Sequence, residues 1–270
     1  MRYAGRTHPG RRDGPNEDSL GWDEARSLWF VADGMGGHAS GEVASRIVKE
    51  TLLAPSDSSL ETVVRNAHKA VIAAAALNPA HDNMGSTLVA ARISERKGEI
   101  VWVGDSRAYL WRKKLLQQLS RDHSFLELLR DQEHLSEEQL RGHPNKNLVT
   151  QTLGIGTPDP SVITIPLRMG DWLLLCSDGL NDELEDREIA EILGGHAAPE
   201  EAADALIAAA LAKGGRDNVS VVVVEYDGPD GVSFAQTLKQ NITPWLPVIV
   251  GILAALAAAG LWLWLKGAGK

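Results

Sequence analysis

Cysteine is nearly absent: the 270 residues contain one, Cys176. A lone cysteine forms neither an internal disulfide nor a cysteine-rich metal site, so the fold has to hold by packing and nothing favours an oxidising compartment. Positive charge is in deficit as well. Lys and Arg number 27 against 36 Asp and Glu, a formal charge of −9, which argues against a nucleic-acid binder and its usual basic face. No Cys or His pair stands at zinc spacing, no Asp-rich twelve-residue calcium loop occurs, and there is no repeat of fixed period. No basic and then apolar stretch precedes the first strand-like residues, so no secretory signal is expected. Apolar residues, by contrast, are plentiful. At 44% hydrophobic and 23% charged the chain can bury a sizeable core and is too apolar to be disordered.

One segment departs from the pattern of a soluble domain. From Ile242 to Leu265 no residue is charged, and the run is long enough to cross a bilayer as a helix. Trp245 near its start and Trp262 and Trp264 near its end stand where amphipathic rings favour membrane interfaces. The expected organisation is therefore a domain over residues 1–226, a Gly-, Pro- and Asp-punctuated linker over 227–241, a single-pass anchor over 242–265 and a short tail over 266–270. With no export signal, the domain is expected in the cytoplasm. Within it, strand-like runs recur at Leu28 to Ala32, Thr87 to Ile93, Ile100 to Val103, Ala108 to Trp111, Val162 to Pro166, Trp172 to Cys176 and Val219 to Tyr226. Helical spacing appears at Gly41 to Leu53, Leu60 to Leu77, Phe125 to Arg130, Asp186 to Leu193 and Pro199 to Ala212. Strands cluster and helices cluster, without regular alternation, which predicts an α+β fold with largely antiparallel sheet.

Acidic residues stand at the ends of these strands. Asp33 follows LWFVA, Asp105 follows VWVG, and Asp178 follows WLLLCS, while Glu17 and Asp18 precede SLGW and Asp217 precedes NVSVVVV. Taken singly each is an ordinary turn or solvated loop. Taken together, neighbouring strands would gather several carboxylates at one rim, which repel unless some take up protons or a divalent cation sits among them. Oxygen-only ligands select hard ions such as Mg²⁺ or Mn²⁺, and enough acids for two ions point to hydrolysis by a metal-activated water.

The blocks NED (Asn16 to Asp18), DGMGGHASGEVAS (Asp33 to Ser45), MGST (Met84 to Thr87), VGDSR (Val103 to Arg107), LLCSDG (Leu174 to Gly179) and GRDNVS (Gly215 to Ser220), in this order, resemble the bacterial metal-dependent protein Ser/Thr phosphatases of the PPM (type 2C-like) family. The resemblance spans nearly the whole domain. It implies a four-layer α-β-β-α sandwich of two antiparallel sheets flanked by helices, with a centre of two Mn²⁺ or Mg²⁺ ions at one edge. It also implies phosphorylated proteins as substrates, an opposing Ser/Thr kinase, and attack on phosphoserine or phosphothreonine by a hydroxide bridging the two ions. By the same resemblance Asp33 bridges the ions, the Gly34 carbonyl binds one, Asp178 and Asp217 complete the other, and Glu17 and Asp18 act directly or through water. Asp105 resembles the ligand of a third, weaker ion.

Two positions depart from the family pattern. Asp13 stands where members generally place a phosphate-binding arginine, so Arg12 is the candidate for that role, with Arg11 beside it. Met35 stands where several eukaryotic relatives have a histidine that protonates the leaving alkoxide, as it does in many bacterial ones, which leaves the general acid unassigned. These departures motivate a rival reading, a catalytically silent phosphoprotein-binding scaffold. Retention of every candidate metal carboxylate argues against it. Cys176, inside an apolar run, is expected to be a buried small hydrophobe.

Overall fold

The segment LWFVA is continuously apolar because strand β3 (Leu28–Met35) is covered on both faces. Leu28, Phe30 and Ala32 pack toward helices, whereas Trp29 and Val31, one residue out of phase, pack toward a second sheet. Truncating a fully buried ring such as Phe30 to Ala costs about 3–5 kcal/mol in a core of this kind. The computed structural model describes residues 1–11, 13–36, 40–133, 145 and 148–229.

Among these residues, β1 (Arg2–His8), β7 (Arg107–Arg112), β8 (Leu115–Gln118), β10 (Asp171–Cys176) and β11 (Val219–Tyr226) form one sheet in the order β1-β11-β10-β7-β8. The other sheet contains β2 (Asp18–Asp23), β3, β5 (Leu88–Ser94), β6 (Lys97–Val103) and β9 (Ser161–Pro166) in that order, with the two-residue β4 (Gly85–Ser86) on β3. Every pairing is antiparallel. Between the sheets lies an apolar layer that includes Trp29, Val89, Trp102, Leu173, Leu175 and Val222.

Helices cover both outer faces. α1 (Ser40–Leu53) and α2 (Leu60–Leu77) pack on the β2/β3 sheet through Ala44, Val48 and Leu52 and through Leu60, Val64, Ala67 and Val71, each set at helical spacing. The Ser59 side chain caps α2 by accepting from Thr62 N. α5 (Asp186–Gly195), opened by a capping box between Glu185 and Glu188, and α6 (Pro199–Lys213) cover the β10/β11 sheet through Ile189, Leu193, Ala203 and Leu206. α3 (Phe125–Glu133) and the single turn α4 (Asp178–Asn181) are the other α-helices among the described residues, and Pro79–His81 forms a short 3-10 turn. The four-layer sandwich is thus the observed architecture.

All seven strand runs and all five helical segments read from the sequence are present, four of the helices longer by one to three residues. β1 is not readable from apolar alternation, because only Ala4 of its seven residues is buried. Two local readings need correction. Asp33 does not end its strand but lies within it, since β3 continues to Met35 against β4. Asp178 does not close a strand either; it opens α4. Among the described residues no helix is long and apolar enough to cross a membrane. The expected anchor, 242–265, and the linker before it lie outside the described residues.

Candidate metal centre

Register alone assembles the acids. In one sheet Asp18 pairs with Asp33 across β2 and β3. In the other, the end of β10 meets the starts of β7 and β11, through Cys176 opposite Arg107 and Val221. This brings the turn carrying Asp105, the helix carrying Asp178 and the loop carrying Asp217 to one end. Asp33 shares the phase of Trp29 and Val31, and Asp18 that of Leu20, so both side chains leave their strands toward the space between the sheets. Two hydrogen bonds tie the sheets there: Ser177 Oγ donates to Asp18 Oδ2 (2.7 Å), and Glu17 N donates to Asn218 Oδ1 (2.7 Å).

Neutral residues hold the acidic backbone in place. Thr87 N donates to Asp33 O (2.8 Å), Asp33 N donates to Thr87 Oγ1 (3.1 Å), and Thr87 Oγ1 and Ser106 Oγ share a 2.7 Å hydrogen bond. Gly104, at φ +101°, lies so close to Thr87 that a Cβ would come within 2.7 Å of its side chain. The Asp105 turn is therefore clamped to Asp33's strand. His123 holds the same turn from the other side, its backbone N–H donating to Gly104 O (2.9 Å) and its ring Nδ1 accepting from Gly104 N (3.2 Å). Burial lowers the His123 pKa and keeps the ring neutral, as the acceptor role of Nδ1 requires. Arg107 forms a bidentate pair with Asp122 (2.9 and 2.6 Å) and donates to the buried Tyr109 hydroxyl (3.2 Å).

The electrostatics are those of acids without enough cations. Burial, reinforced by Asp18, Asp178, Asp105 and Asp217, raises Asp33 well above the usual carboxylate value. Burial likewise raises Asp178, reinforced by Asp105, Asp182, Asp217 and Asp18. Asp18 is pushed up to about 6 by burial, against the opposing effect of Ser220 and Ser177. Asp105 also reaches about 6, through burial and Asp122, with Arg107 opposing. Glu17 is raised by burial, partly offset by a hydrogen bond from the Gly41 backbone at the start of α1.

The donor set fits hard divalent ions. It is all oxygen, and Asp18 Oδ1 is buried with no hydrogen-bond partner. Gly34 sits in a cradle that a Cβ would fill, 2.0 Å from Gly41 O and 2.7 Å from Glu17 O, and a Cβ on Gly41 would lie 2.6 Å from Glu17 Oε1. Among the described residues no three His, Cys, Asp or Glu side chains converge closely enough to ligate one ion. A cleft of about 990 Å³ opens from Asp105 and Asp178 past Asp182, Asp122 and Arg107 toward the start of α5.

The structure thus places Glu17, Asp18, Asp33, Asp105, Asp178 and Asp217 at one edge of the sandwich, near enough for their charges to act on one another, with Gly34 next to Asp33. Arg12 lies outside the described residues. Its neighbour Arg11 is exposed on a loop laid along the Asp217 segment, with Arg11 N donating to Gly215 O (2.7 Å) and Asn218 Nδ2 donating to Pro9 O (2.9 Å). Sequence reasoning missed Asp182, four residues after Asp178 on a helix too short to show a period. It also missed Ser177, Thr87 and His123, neutral residues whose only signal was membership in, or proximity to, the blocks that carry the acids.

Comparison with known proteins agrees with this geometry. The family model for protein phosphatase 2C matches residues 4–213. The serine/threonine protein phosphatase PstP of Mycobacterium tuberculosis is 39% identical over 240 residues, covering 84% of this chain and 46% of that protein, so the chain spans about half its length. The serine/threonine phosphatase stp of Listeria monocytogenes is 38% identical over 239 residues, covering 82% of this chain and 94% of the relative. Among solved structures, the catalytic domain of PstP in complex with two manganese ions superposes with a TM-score of 0.76 at 36% identity, covering 84% of this chain and 98% of the other.

Proposed function

The chain belongs to the protein phosphatase 2C family of Ser/Thr protein phosphatases, and from that premise we propose that it hydrolyses phosphoserine and phosphothreonine in proteins, in a reaction dependent on Mn²⁺ or Mg²⁺. The observation that carries this reading is the gathering of Asp18, Asp33, Asp105 and Asp178 at one edge of the sandwich with raised pKa values. So many like charges held together by the fold are stabilised by cations of the kind present in the PstP structure with two manganese ions.

Asp33, Asp178 and Asp217 with the Gly34 carbonyl would hold two ions, with Glu17 and Asp18 acting directly or through water, and Asp105 with Asp178 would hold a weaker third. Bound there, the ions supply Lewis acidity that neutralises a phosphoryl group and makes water nucleophilic at neutral pH. The protein's own part is to fix the acids rigidly, through the Thr87, Ser106 and Ser177 hydrogen bonds, and to leave the edge open to a phosphorylated side chain. Arg12 is the candidate for binding the substrate phosphate, beside the exposed Arg11. The uncharged run 242–265 supports a further proposal: a single-pass anchor that keeps the domain at the cytoplasmic face of a membrane, where it reverses the action of a Ser/Thr kinase.

Phosphate release from a phosphothreonine peptide tests the reading. Turnover is expected with Mn²⁺ or Mg²⁺ and none in excess chelator. Turnover that persists in chelator refutes the metal dependence, and phosphopeptide binding without turnover favours the scaffold.

A further inference from the structure

The two oxygens of Asp18 are not equivalent. The residue is 8% exposed, and its Oδ2 accepts the 2.7 Å hydrogen bond from Ser177 while its Oδ1 is buried with no hydrogen-bond partner. Ser177 is fully buried, and its Oγ accepts from Ser220 N at 2.9 Å. That acceptance leaves the hydroxyl its single proton, and the geometry directs it to Asp18. Ser220 Oγ is in turn hydrogen-bonded to Thr7 Oγ1 (2.7 Å), which also accepts from Asn16 Nδ2 (2.7 Å), and Asn16 Oδ1 accepts from Asp18 N (3.1 Å). The chain of polar groups starts and ends on the segment that carries Asp18 and crosses from one sheet to the other on the way.

A carboxylate with one oxygen tied in this manner cannot rotate freely. Its second oxygen then has a direction imposed by the fold, and a buried acceptor kept without a partner is costly unless something occupies the space it faces. We propose that Ser177 is a positioning residue, holding Asp18 by Oδ2 across the sheet interface so that Oδ1 is presented to the divalent cations of the acid centre. The inference rests on the phosphatase reading above. It gives Ser177, beyond tying the two sheets together, the task of setting the direction of the free Asp18 oxygen.

Calorimetric titration of Mn²⁺ into the full chain, stripped of metal by chelator, tests this on the unsubstituted protein and on Ser177→Ala, Ser177→Cys and Ser177→Thr. Uptake of Mn²⁺ by the unsubstituted protein is what the phosphatase reading itself requires, so its absence is a failure of that reading and is seen before any variant is compared. Loss of the orienting donor is expected to weaken Mn²⁺ binding about 10- to 100-fold in Ser177→Ala. Ser177→Cys, isosteric but a poor donor, is expected to show a smaller loss in the same direction, and Ser177→Thr, which keeps the hydroxyl, to restore affinity to within a few-fold. Thermal unfolding in chelator separates the roles, because a purely structural serine lowers the midpoint and leaves the affinity of the folded fraction unchanged. Ala and Cys variants that both bind Mn²⁺ within about twofold of the unsubstituted protein overturn the proposal. If Ser177→Ala does not fold, the Cys variant decides alone by the same criterion.

Discussion

Strand β10 has a carboxylate close to each end, and the two live in opposite surroundings. At its start Asp171, 2% exposed, receives both arms of Arg112 (2.7 and 2.5 Å) and the Arg168 backbone N–H (2.7 Å). Just past its end Asp178 faces Asp105, Asp182, Asp217 and Asp18. The first charge is neutralised within the chain and ties one sheet edge together. The second is surrounded by more of its own sign, an arrangement that costs stability unless cations from outside complete it. A fold that tolerates both within a few residues shows where packing ends and chemistry begins: arginine serves the structural end and is largely withheld from the other.

The comparison breaks most visibly under substitution. Asp178→Asn is expected to lower turnover on a phosphothreonine peptide on the order of a thousandfold, while removal of one like charge leaves the metal-free protein at least as stable to heat. Asp171→Asn should do the reverse. Removing the carboxylate that Arg112 grips is expected to cost about 3 kcal/mol of stability, read as a lowered denaturation midpoint, with turnover per folded molecule preserved. If the two variants behave alike in both assays, the distinction between the ends of β10 is wrong.

A gentler test uses pH. Asp18 and Asp105 have folded-state pKa values of about 6 against 3.8 for the ordinary carboxyl, and Asp33 and Asp178 are raised as well. Such groups bind protons more tightly folded than unfolded, so the stability they lend is present at low pH and is lost as pH rises from about 4 through 6. Glu183, held below its usual value by Arg216, contributes with the opposite sign only at lower pH, and His68 and His123, lowered by burial, oppose the acids within the interval as two groups against four. Between pH 5 and 7 the metal-free protein should therefore lose a few degrees of melting temperature as pH rises, and saturating Mn²⁺ should abolish or reverse that slope. A metal-free melting temperature that climbs across this interval contradicts the account.

Much of this was readable in the sequence because burial and charge leave different marks. Runs such as LWFVA and WLLLC have the length and composition of interior strands, and acids set against them stand out. The order of strands in each sheet left no such mark, since antiparallel pairs like β1 with β11, more than two hundred residues apart, are chosen by tertiary packing. β1 itself, with one buried residue, has no apolar period to read. Ser177, Thr87 and His123 were invisible for another reason: a hydrogen-bonding residue announces its partner only once the fold has placed it. Gly34 was expected to matter for its carbonyl, and the structure adds that its missing side chain lets Gly41 and Glu17 close in.

Anomalous scattering from crystals soaked in Mn²⁺ locates the cations that the acids would hold. The expected result is two strong peaks among Asp33, Asp178 and Asp217, one of them shared through Asp33, with a weaker third beside Asp105. Peaks elsewhere on the surface, with those three side chains pointing apart into solvent, would contradict it.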